Sequence, residues 1–306
     1  YQIISKSKLW LSISGALMIA SVIMLSMWGL KLGIDFTGGS LLEGKFLQDR
    51  PSVTQIEDKL KDLDLHSLTV QPVADRGVIL RFQETSEDTH QAILKQLQSF
   101  APASKDKKAT VSVFEEQRFE AVGPSVGQEL QRKAIYAIIL VLLAISIYIA
   151  IAFRGVSRPV PSWKYGAATL VGLFHDVVIV LGFFAWLGHF QGVEVNTSFV
   201  AAVLTVLGFS VHDTIVVFDR IRENLPRSNS DFAGTVNASL NQTLTRSINT
   251  SLTVLLVLLS IAILGGESIH YFALALLVGI FFGTYSSIFL ASPLLVVWQH
   301  WQQRNS

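Results

Sequence analysis

The chain has 306 residues and a formal net charge of +1, with 50% hydrophobic and only 15% charged residues. A soluble domain carries roughly 25% charged residues, so this composition excludes an ordinary soluble enzyme as well as a disordered chain. A net charge near zero provides no basic field for nucleic acid. Because the chain contains no cysteine, disulfides, thiolate metal sites and cysteine nucleophiles are also excluded.

The charged residues are concentrated in one segment, which indicates a polar domain within an apolar frame. Residues 31–133 hold 14 of the 24 basic and 16 of the 23 acidic side chains. The rest contains six apolar stretches long enough to cross a bilayer, which takes about 20 helical residues. They are 9–30, 133–153, 165–187, 197–218, 244–264 and 271–296. The sequence therefore predicts six transmembrane helices with one large domain between the first two.

The distribution of Lys and Arg among the short loops predicts the orientation. The basic residues of the tails and of alternate loops are Lys6, Lys8, Arg154, Arg158, Lys164, Arg220, Arg222, Arg227 and Arg304. The two opposite loops, 188–196 and 265–270, contain no Lys or Arg. We therefore expect cytoplasmic tails at 1–8 and 297–306. The domain 31–132 is then extracytoplasmic, and 133–296 hold helices two to six.

The inserted segment has the pattern strand, helix, strand, strand, helix, strand. The predicted strands are 40–46, 68–73, 78–82 and 110–119. Ser52 with Gln55 forms a capping box that opens the first helix, and Ser86 caps the second. This order is typical of a ferredoxin-like βαββαβ domain, which makes the fold class an α+β membrane protein. Residues 101–109 are predicted to be a flexible loop, and the absence of a metal cluster or phosphate loop favours a docking role.

Residues 123–127 match the Gly-x-Ser-x-Gly pattern of a hydrolase nucleophile elbow around Ser125. The only later His-Asp candidates lie inside membrane helices, which argues against a catalytic triad. We therefore interpret Gly123, Pro124 and Gly127 as a rigid joint at the membrane boundary.

A second glycine motif, Asp35-Phe36-Thr37-Gly38-Gly39, follows the first apolar stretch. Glycine readily adopts the positive φ of a helix C-terminal cap. We expect Asp35, Gly38 and Gly39 to form the cap and turn that end the first membrane helix.

Two carboxylates lie within apolar stretches, and each follows a histidine. They are Asp176, preceded by His175, and Asp213, preceded by His212. A carboxylate in hydrocarbon costs several kcal/mol unless it is paired or hydrated, so both are functional candidates. The similar surrounding strings indicate a weak internal repeat, as found in transporters. For His175 and Asp176, a packing hydrogen bond between helices is the main alternative to a proton relay.

Asp213 and Arg246 are predicted to lie at similar depth. Asp213 is about 26 Å along its helix from the outer end, and Arg246 is about 27 Å from the outer end of the next helix. If these helices adjoin, the two can pair, and their separation would let the carboxylate take up a proton. The alternative is a static ion pair that joins two helices.

One glycine pair in the last apolar stretch predicts close helix packing. Gly279 and Gly283 form a Gly-x-x-x-Gly pattern. Such small residues let two helix backbones approach each other closely.

Together, the motifs resemble the SecF branch of the SecD/SecF family of bacterial protein-export membrane proteins, within the RND superfamily. The resemblance covers nearly the whole chain. It is carried by 35–39, 122–127, 175–177, 208–224 and 239–246. The fourth-helix string, which runs through Arg-x-Arg-Glu-Asn, is highly specific.

The resemblance implies a non-enzymatic subunit of the bacterial inner membrane, without a cofactor or metal. It would work with SecD, the SecYEG channel and YajC, using the proton motive force in late steps of the export of unfolded polypeptides. In SecF-like proteins the fourth-helix Asp and the fifth-helix Arg belong to the proton path, and these match Asp213 and Arg246. The family commonly has Asn before that Asp, so His212 adds a titratable group here.

The residues alone are also compatible with three other functions. One is a subunit of an RND-type proton-coupled small-molecule exporter. Another is an intramembrane hydrolase that uses Ser125 or the two aspartates. The third is a non-conducting assembly scaffold, in which replacing Asp213 by Asn would have no effect.

Overall fold

The computed structural model describes residues 1–100, 113–153 and 160–304. The predicted loop 101–109, the first residues of the predicted strand 110–119, and Arg154 and Arg158 lie outside these ranges. The chain divides into two compact units. One consists of Tyr1–Lys31 with Ala134–Ser306, and the other is Leu32–Lys133.

The first unit consists almost entirely of long helices. They are α1 (Ser7–Trp28), α5 (Pro124–Ala152), α6 (Ser162–Gln191), α7 (Thr197–Asn224), α8 (Phe232–Leu264), α9 (Glu267–Ser286) and α10 (Ser292–Arg304), with α5 beginning in the other unit. A π-helical turn, Ser287–Ala291, joins α9 to α10 without a break. Within the described ranges, six helical segments are long and apolar enough to cross a membrane, the last being Ile269–Gln302. The predicted number of spans is confirmed.

Several helices extend well beyond the apolar stretches that predicted them. Helix α5 begins at Pro124 rather than at residue 133, because proline suits the first turn of a helix. Helix α8 begins at Phe232 rather than at residue 244, and the Asp231 side chain caps it by accepting from the Gly234 N–H at 2.8 Å. At 33 residues α8 is about 50 Å long, whereas the hydrocarbon core is about 30 Å thick. Hydropathy detects only the part of such a helix that matches the bilayer.

Helix α6 is the most buried span and packs against α1, α7 and α9. Helices α7 and α9 pack closely at the predicted glycine pair. A Cβ atom on Gly279 would overlap Val206, and one on Gly283 would lie 3.0 Å from the Ser210 Cβ. The expected close contact at this pair is confirmed.

The chain before α1 is attached to the first part of α8. The Asn237 side-chain oxygen accepts hydrogen bonds from the backbone N–H of Ile3 at 2.9 Å and of Ile4 at 3.2 Å. Ile3 and Ile4 are buried in the same apolar cluster as Val236 and Leu240 of α8. The start of the chain is thus held to α8 by both polar and apolar contacts.

The second unit contains a four-stranded antiparallel sheet. Its elements are α2 (Ile34–Thr37), β1 (Gly39–Phe46), α3 (Val53–Leu60), β2 (Thr69–Val73), β3 (Gly77–Phe82), α4 (Glu87–Gln98) and β4 (Phe114–Val122). The spatial order of strands is β2-β3-β1-β4. Side chains of α3 and α4, including Ile56 and Ile93, share a buried core with Leu42, Leu80 and Phe114 of the sheet. The predicted capping box at Ser52 is present.

The role expected for residues 35–39 is wrong in one respect. Helix α1 ends at Trp28, where Gly29 has a φ of 66°. Asp35 instead lies in α2, a separate short helix, which ends at Gly38 with a φ of 77°. The motif therefore ends α2 and leads into β1, because the earlier glycine already stops the membrane helix.

The two glycine motifs contact each other. A Cβ atom on Gly38 would lie 2.7 Å from the Pro124 Cα, and one on Gly127 would lie 2.9 Å from the Gly38 backbone nitrogen. Glycine is therefore required on both sides of this contact, which joins the start of β1 to the start of α5. The sequence indicated two separate turns and did not reveal that they pack together.

Candidate functional site

Asp176 is completely buried in α6 and contacts three polar side chains. Its Oδ2 accepts hydrogen bonds from the hydroxyls of Ser210 on α7 at 2.6 Å and Ser286 on α9 at 2.8 Å. Its Oδ1 lies 2.9 Å from Nδ1 of His175. Two serines thus donate the expected interhelical hydrogen bonds to Asp176, whereas the His175 ring contacts the carboxylate of its own neighbour in the chain.

Asp213, on α7, is also buried and is held in the same way. Its Oδ1 accepts from the Ser247 hydroxyl on α8 at 2.6 Å, and its Oδ2 accepts from the Ser287 hydroxyl at 2.7 Å. Ser247 and Ser287 are themselves buried. A carboxylate that would be costly in hydrocarbon therefore has a hydroxyl donor on each oxygen.

The two aspartates form a repeated arrangement. Each accepts from a serine 34 residues later in the chain, on the next helix. Each also accepts from one of two adjacent serines, Ser286 and Ser287. The internal repeat indicated by the His-Asp strings is thus visible as repeated chemistry.

The adjacent serines lie where α9 changes to the π-helical turn. The Ser286 hydroxyl is also 3.1 Å from the Gly283 carbonyl oxygen, and the Ser287 hydroxyl is 2.9 Å from that of Thr284. The Ser292 hydroxyl donates to the Ser287 carbonyl at 3.1 Å. Single π-helical turns within α-helices are frequent at functional sites.

The pairing predicted between Asp213 and Arg246 is not formed within the described part of the chain. The Arg246 side chain is exposed, and it is the next residue, Ser247, that reaches Asp213. Successive residues on a helix point about 100° apart, so a depth estimate cannot determine which of two neighbours faces the partner helix. His212, which precedes Asp213, is likewise exposed.

His175 is as completely buried as Asp176. Its ring is fully buried, and within the described ranges its Nε2 has no hydrogen-bond partner. The ring of Tyr285 lies nearby, with 6.2 Å between the ring centroids. In the same ranges, no group of three or more His, Asp or Glu side chains is arranged to hold a metal ion.

The four serines that contact the carboxylates were not among the site residues predicted from the sequence. Serine is common in tightly packed membrane helices, so a single serine carries little signal. A usable signal was the equal spacing from each aspartate to a serine in the next span. The other predicted motif residues, Asp35, Gly38, Gly39, Gly123, Pro124 and Gly127, belong to the second unit.

Comparison with protein families gives two matches. Residues 103–301 match the family described as "Protein export membrane protein SecD/SecF, C-terminal", and residues 29–43 match the "SecD/SecF GG Motif". The second match includes Gly38 and Gly39. Together, these matches cover both glycine motifs and all five spans after the inserted domain.

Similar proteins include two SecF subunits. The chain is 45% identical over 295 residues to the protein translocase subunit SecF of Thermobaculum terrenum, covering 93% of this chain and 89% of that protein. It is 39% identical over 306 residues to the corresponding subunit of Anaerolinea thermophila, covering 99% and 96%.

Solved structures with the same fold include the translocon-associated membrane protein SecDF from Thermus thermophilus. The TM-score is 0.80 at 32% identity, and the match covers 98% of this chain. A super-membrane-facing form of SecDF matches with a TM-score of 0.69 at 30% identity. In both cases this chain spans 39% of the length of the SecDF chain.

Proposed function

The chain belongs to the SecF family of protein translocase subunits, and we propose that it uses the proton motive force in late steps of polypeptide export. It is a membrane protein with six apolar helices. Its match to SecDF supports assembly with SecD. The remaining partners would be the SecYEG channel, YajC and the unfolded polypeptide. The subunit would lie in the bacterial inner membrane. The subunit would have no enzymatic activity.

The observation that carries proton coupling is the environment of Asp213. Its two oxygens face serine hydroxyls instead of a fixed cation. A hydroxyl can donate to a carboxylate and can also accept from a protonated carboxyl group. Asp213 can therefore hold or release a proton without leaving a buried polar group unpaired.

Arg246 fits this function through the geometry of α8. It directly precedes Ser247, so a rotation of α8 by about 100° would turn Arg246 toward α7 and move Ser247 away. We propose that Arg246 faces Asp213 in a second state of the subunit. Loss of a proton from Asp213 would favour that state because an ionised carboxylate attracts the guanidinium group. Proton transfer is thereby coupled to rotation of a helix.

The inserted domain 31–132 is proposed to be ferredoxin-like and extracytoplasmic. The strand order β2-β3-β1-β4, with helices after β1 and β3, supports the first assignment. The positions of Lys and Arg support the second, with cytoplasmic tails at 1–8 and 297–306. In this orientation the domain can contact a polypeptide that emerges from the channel.

The test is export of a secreted reporter in cells depleted of their own SecF. Asp213→Asn is compared with wild type and with Asp219→Asn, a matched change at an exposed position on the same helix. All three must be expressed and must co-purify with SecD equally. Loss of export only in Asp213→Asn supports the proposal. Normal export would refute proton coupling at Asp213 and favour an assembly scaffold.

A further inference from the structure

Ser286 and Ser287 each have two hydrogen-bond acceptors within reach. For Ser286 these are the Asp176 carboxylate and the Gly283 carbonyl, and for Ser287 they are the Asp213 carboxylate and the Thr284 carbonyl. A hydroxyl group carries one hydrogen, so each serine makes a full hydrogen bond to one acceptor at a time.

The protonation state of the carboxylate decides which acceptor is used. Hydrogen bonds to an ionised group are roughly twice as strong as neutral ones, so an ionised Asp213 takes the Ser287 hydrogen. A protonated Asp213 has its own O–H, which can donate to the Ser287 oxygen. The hydrogen of Ser287 then turns to the Thr284 carbonyl, one helical turn earlier. The same exchange applies to Ser286 with Asp176.

We propose that Ser286 and Ser287 are positioning residues that couple the protonation of Asp176 to that of Asp213. The inference rests on the proposed protonation of Asp213. It adds that protonation of either carboxylate changes the protonation of the other. The two hydroxyls belong to consecutive residues at the start of a π-helical turn. A change in the hydrogen bonding of one serine therefore alters the backbone from which the other serine projects.

The surroundings of Ser286 and Ser287 are tightly packed. Ser286 and Ser287 are buried, and Gly283 packs tightly against Ser210, which donates to Asp176. The Ser251 hydroxyl donates to the Ser247 carbonyl at 2.8 Å. The same hydroxyl lies 2.5 Å from the Thr284 hydroxyl. Hydroxyl groups on α8 and α9 thus link the residues around Asp213, and the close approach of Gly283 to Ser210 packs the residues around Asp176 against the same part of α9.

Few other titratable groups face the carboxylates in the described structure. His175 contacts Asp176, and Tyr285 lies beside His175. On α7 and α8, His212 and Arg246 are neighbours of the site residues in the chain, but their side chains are exposed. The adjacent hydroxyls of Ser286, at the end of α9, and Ser287, at the start of the π-helical turn, therefore contact the two carboxylates directly, one each.

Infrared difference spectroscopy of the chain purified with SecD in lipid tests the coupling directly. Asp176→Asn and Asp213→Asn identify the carboxyl band of each residue as the pH is changed. We expect Asp176→Asn to displace the pH at which the Asp213 band appears. This displacement should disappear when the wild-type protein and the Asp176→Asn variant are compared with Ser286→Ala present in both. An Asp213 band that is indifferent to Asp176→Asn would overturn the coupling, as would a displacement that persists without the Ser286 hydroxyl.

Proton flux in vesicles that contain the same complex gives the second test. We expect Ser287→Ala to lower the flux about tenfold, which corresponds to about 1.4 kcal/mol, and Ser287→Thr to restore it because the hydroxyl is kept. Ser21→Ala is the matched control, since this serine on α1 is also buried but packs against Gly182 on α6, away from both carboxylates. Equal flux in Ser287→Ala and wild type would refute the inference. If Asp213→Asn alone abolishes flux, the proposed function survives that refutation.

Discussion

Ser286 and Ser287 are neighbours in the chain, yet their hydroxyls donate to carboxylates on two different helices, Asp176 on α6 and Asp213 on α7. The last membrane span thereby contacts both Asp176 and Asp213 through consecutive residues. The two adjacent serines connect the two Asp sites of the repeat by direct contact, whereas the His-Asp strings are only similar in sequence. This contact also suggests which substitutions separate packing from proton coupling.

Ser210→Ala should destabilise the membrane unit. Ser210 donates to the buried Asp176 at 2.6 Å, and removing the donor to a buried acceptor costs about 1–3 kcal/mol. Thermal unfolding of the purified protein in detergent measures the loss. Thr205→Ala, which removes an exposed hydroxyl from the same helix, is the control and should change stability little. Equal effects of the two variants would contradict the assigned hydrogen bond.

Gly279→Ala should disturb the contact between α7 and α9. The added methyl group would overlap Val206, and overpacking of this kind costs about 1–3 kcal/mol. Gly208→Ala is a suitable comparison because, among the described residues beyond its own helical turn, no atom lies within 4 Å of the added Cβ. That variant should be neutral or stabilising, since alanine favours helix more than glycine does. A stable Gly279→Ala protein would show that the helices can move apart without loss.

Gly38→Ala should weaken the second unit, whereas Gly123→Ala should be tolerated. Gly38 has a φ of 77°, and its Cβ would meet the Pro124 backbone. Gly123 has open space around its Cβ position. The expected difference is more than about 1 kcal/mol, because the first substitution combines backbone strain with a steric clash. Limited proteolysis of the full chain compares the two, and equal resistance would argue against the contact between the motifs.

The pair His66 and Glu84 should make the second unit sensitive to pH. A hydrogen bond that the His66 ring donates to the Glu84 carboxylate raises the pKa of His66. Burial alone would raise the pKa of Glu84, but hydrogen bonds from the His66 backbone and ring lower it overall. The His66 contribution is complete below its ordinary pKa and is lost as the pH rises through the raised value. The Glu84 contribution is complete above its ordinary pKa and is lost as the pH falls through the lowered value.

The pair therefore stabilises the unit most between the ordinary pKa values of 4.5 for Glu84 and 6.5 for His66. Hydrogen exchange of the full chain, measured against pH for wild type and His66→Ala, checks this expectation. The protection lost in the variant should shrink as the pH rises above 6.5 and as it falls below 4.5. A difference that is independent of pH would show that ionisation of the pair has no part in it.

Hydropathy and capping patterns were sufficient to predict the six spans and the order of strands and helices in the inserted segment. They could not predict the extension of α5 to Pro124 or of α8 to Phe232, because both added segments are polar. The aspartates were identifiable because charge in an apolar stretch is costly. Their partners were not, because serine is an ordinary packing residue in membrane helices. Choosing between Arg246 and Ser247 required knowledge of which face of α8 is turned toward α7. That orientation depends on the packing of α8 against α7 and α9.

The attachment of the first residues to α8 has a mechanical consequence for the proposed rotation. The Cα atoms of a helix lie on a cylinder with a radius of about 2.3 Å, so a turn of 100° carries each of them along an arc of about 4 Å. Asn237 holds the Ile3 N–H at 2.9 Å, and a hydrogen bond does not stretch that far. The chain before α1 must therefore travel with α8 or detach from it during each cycle.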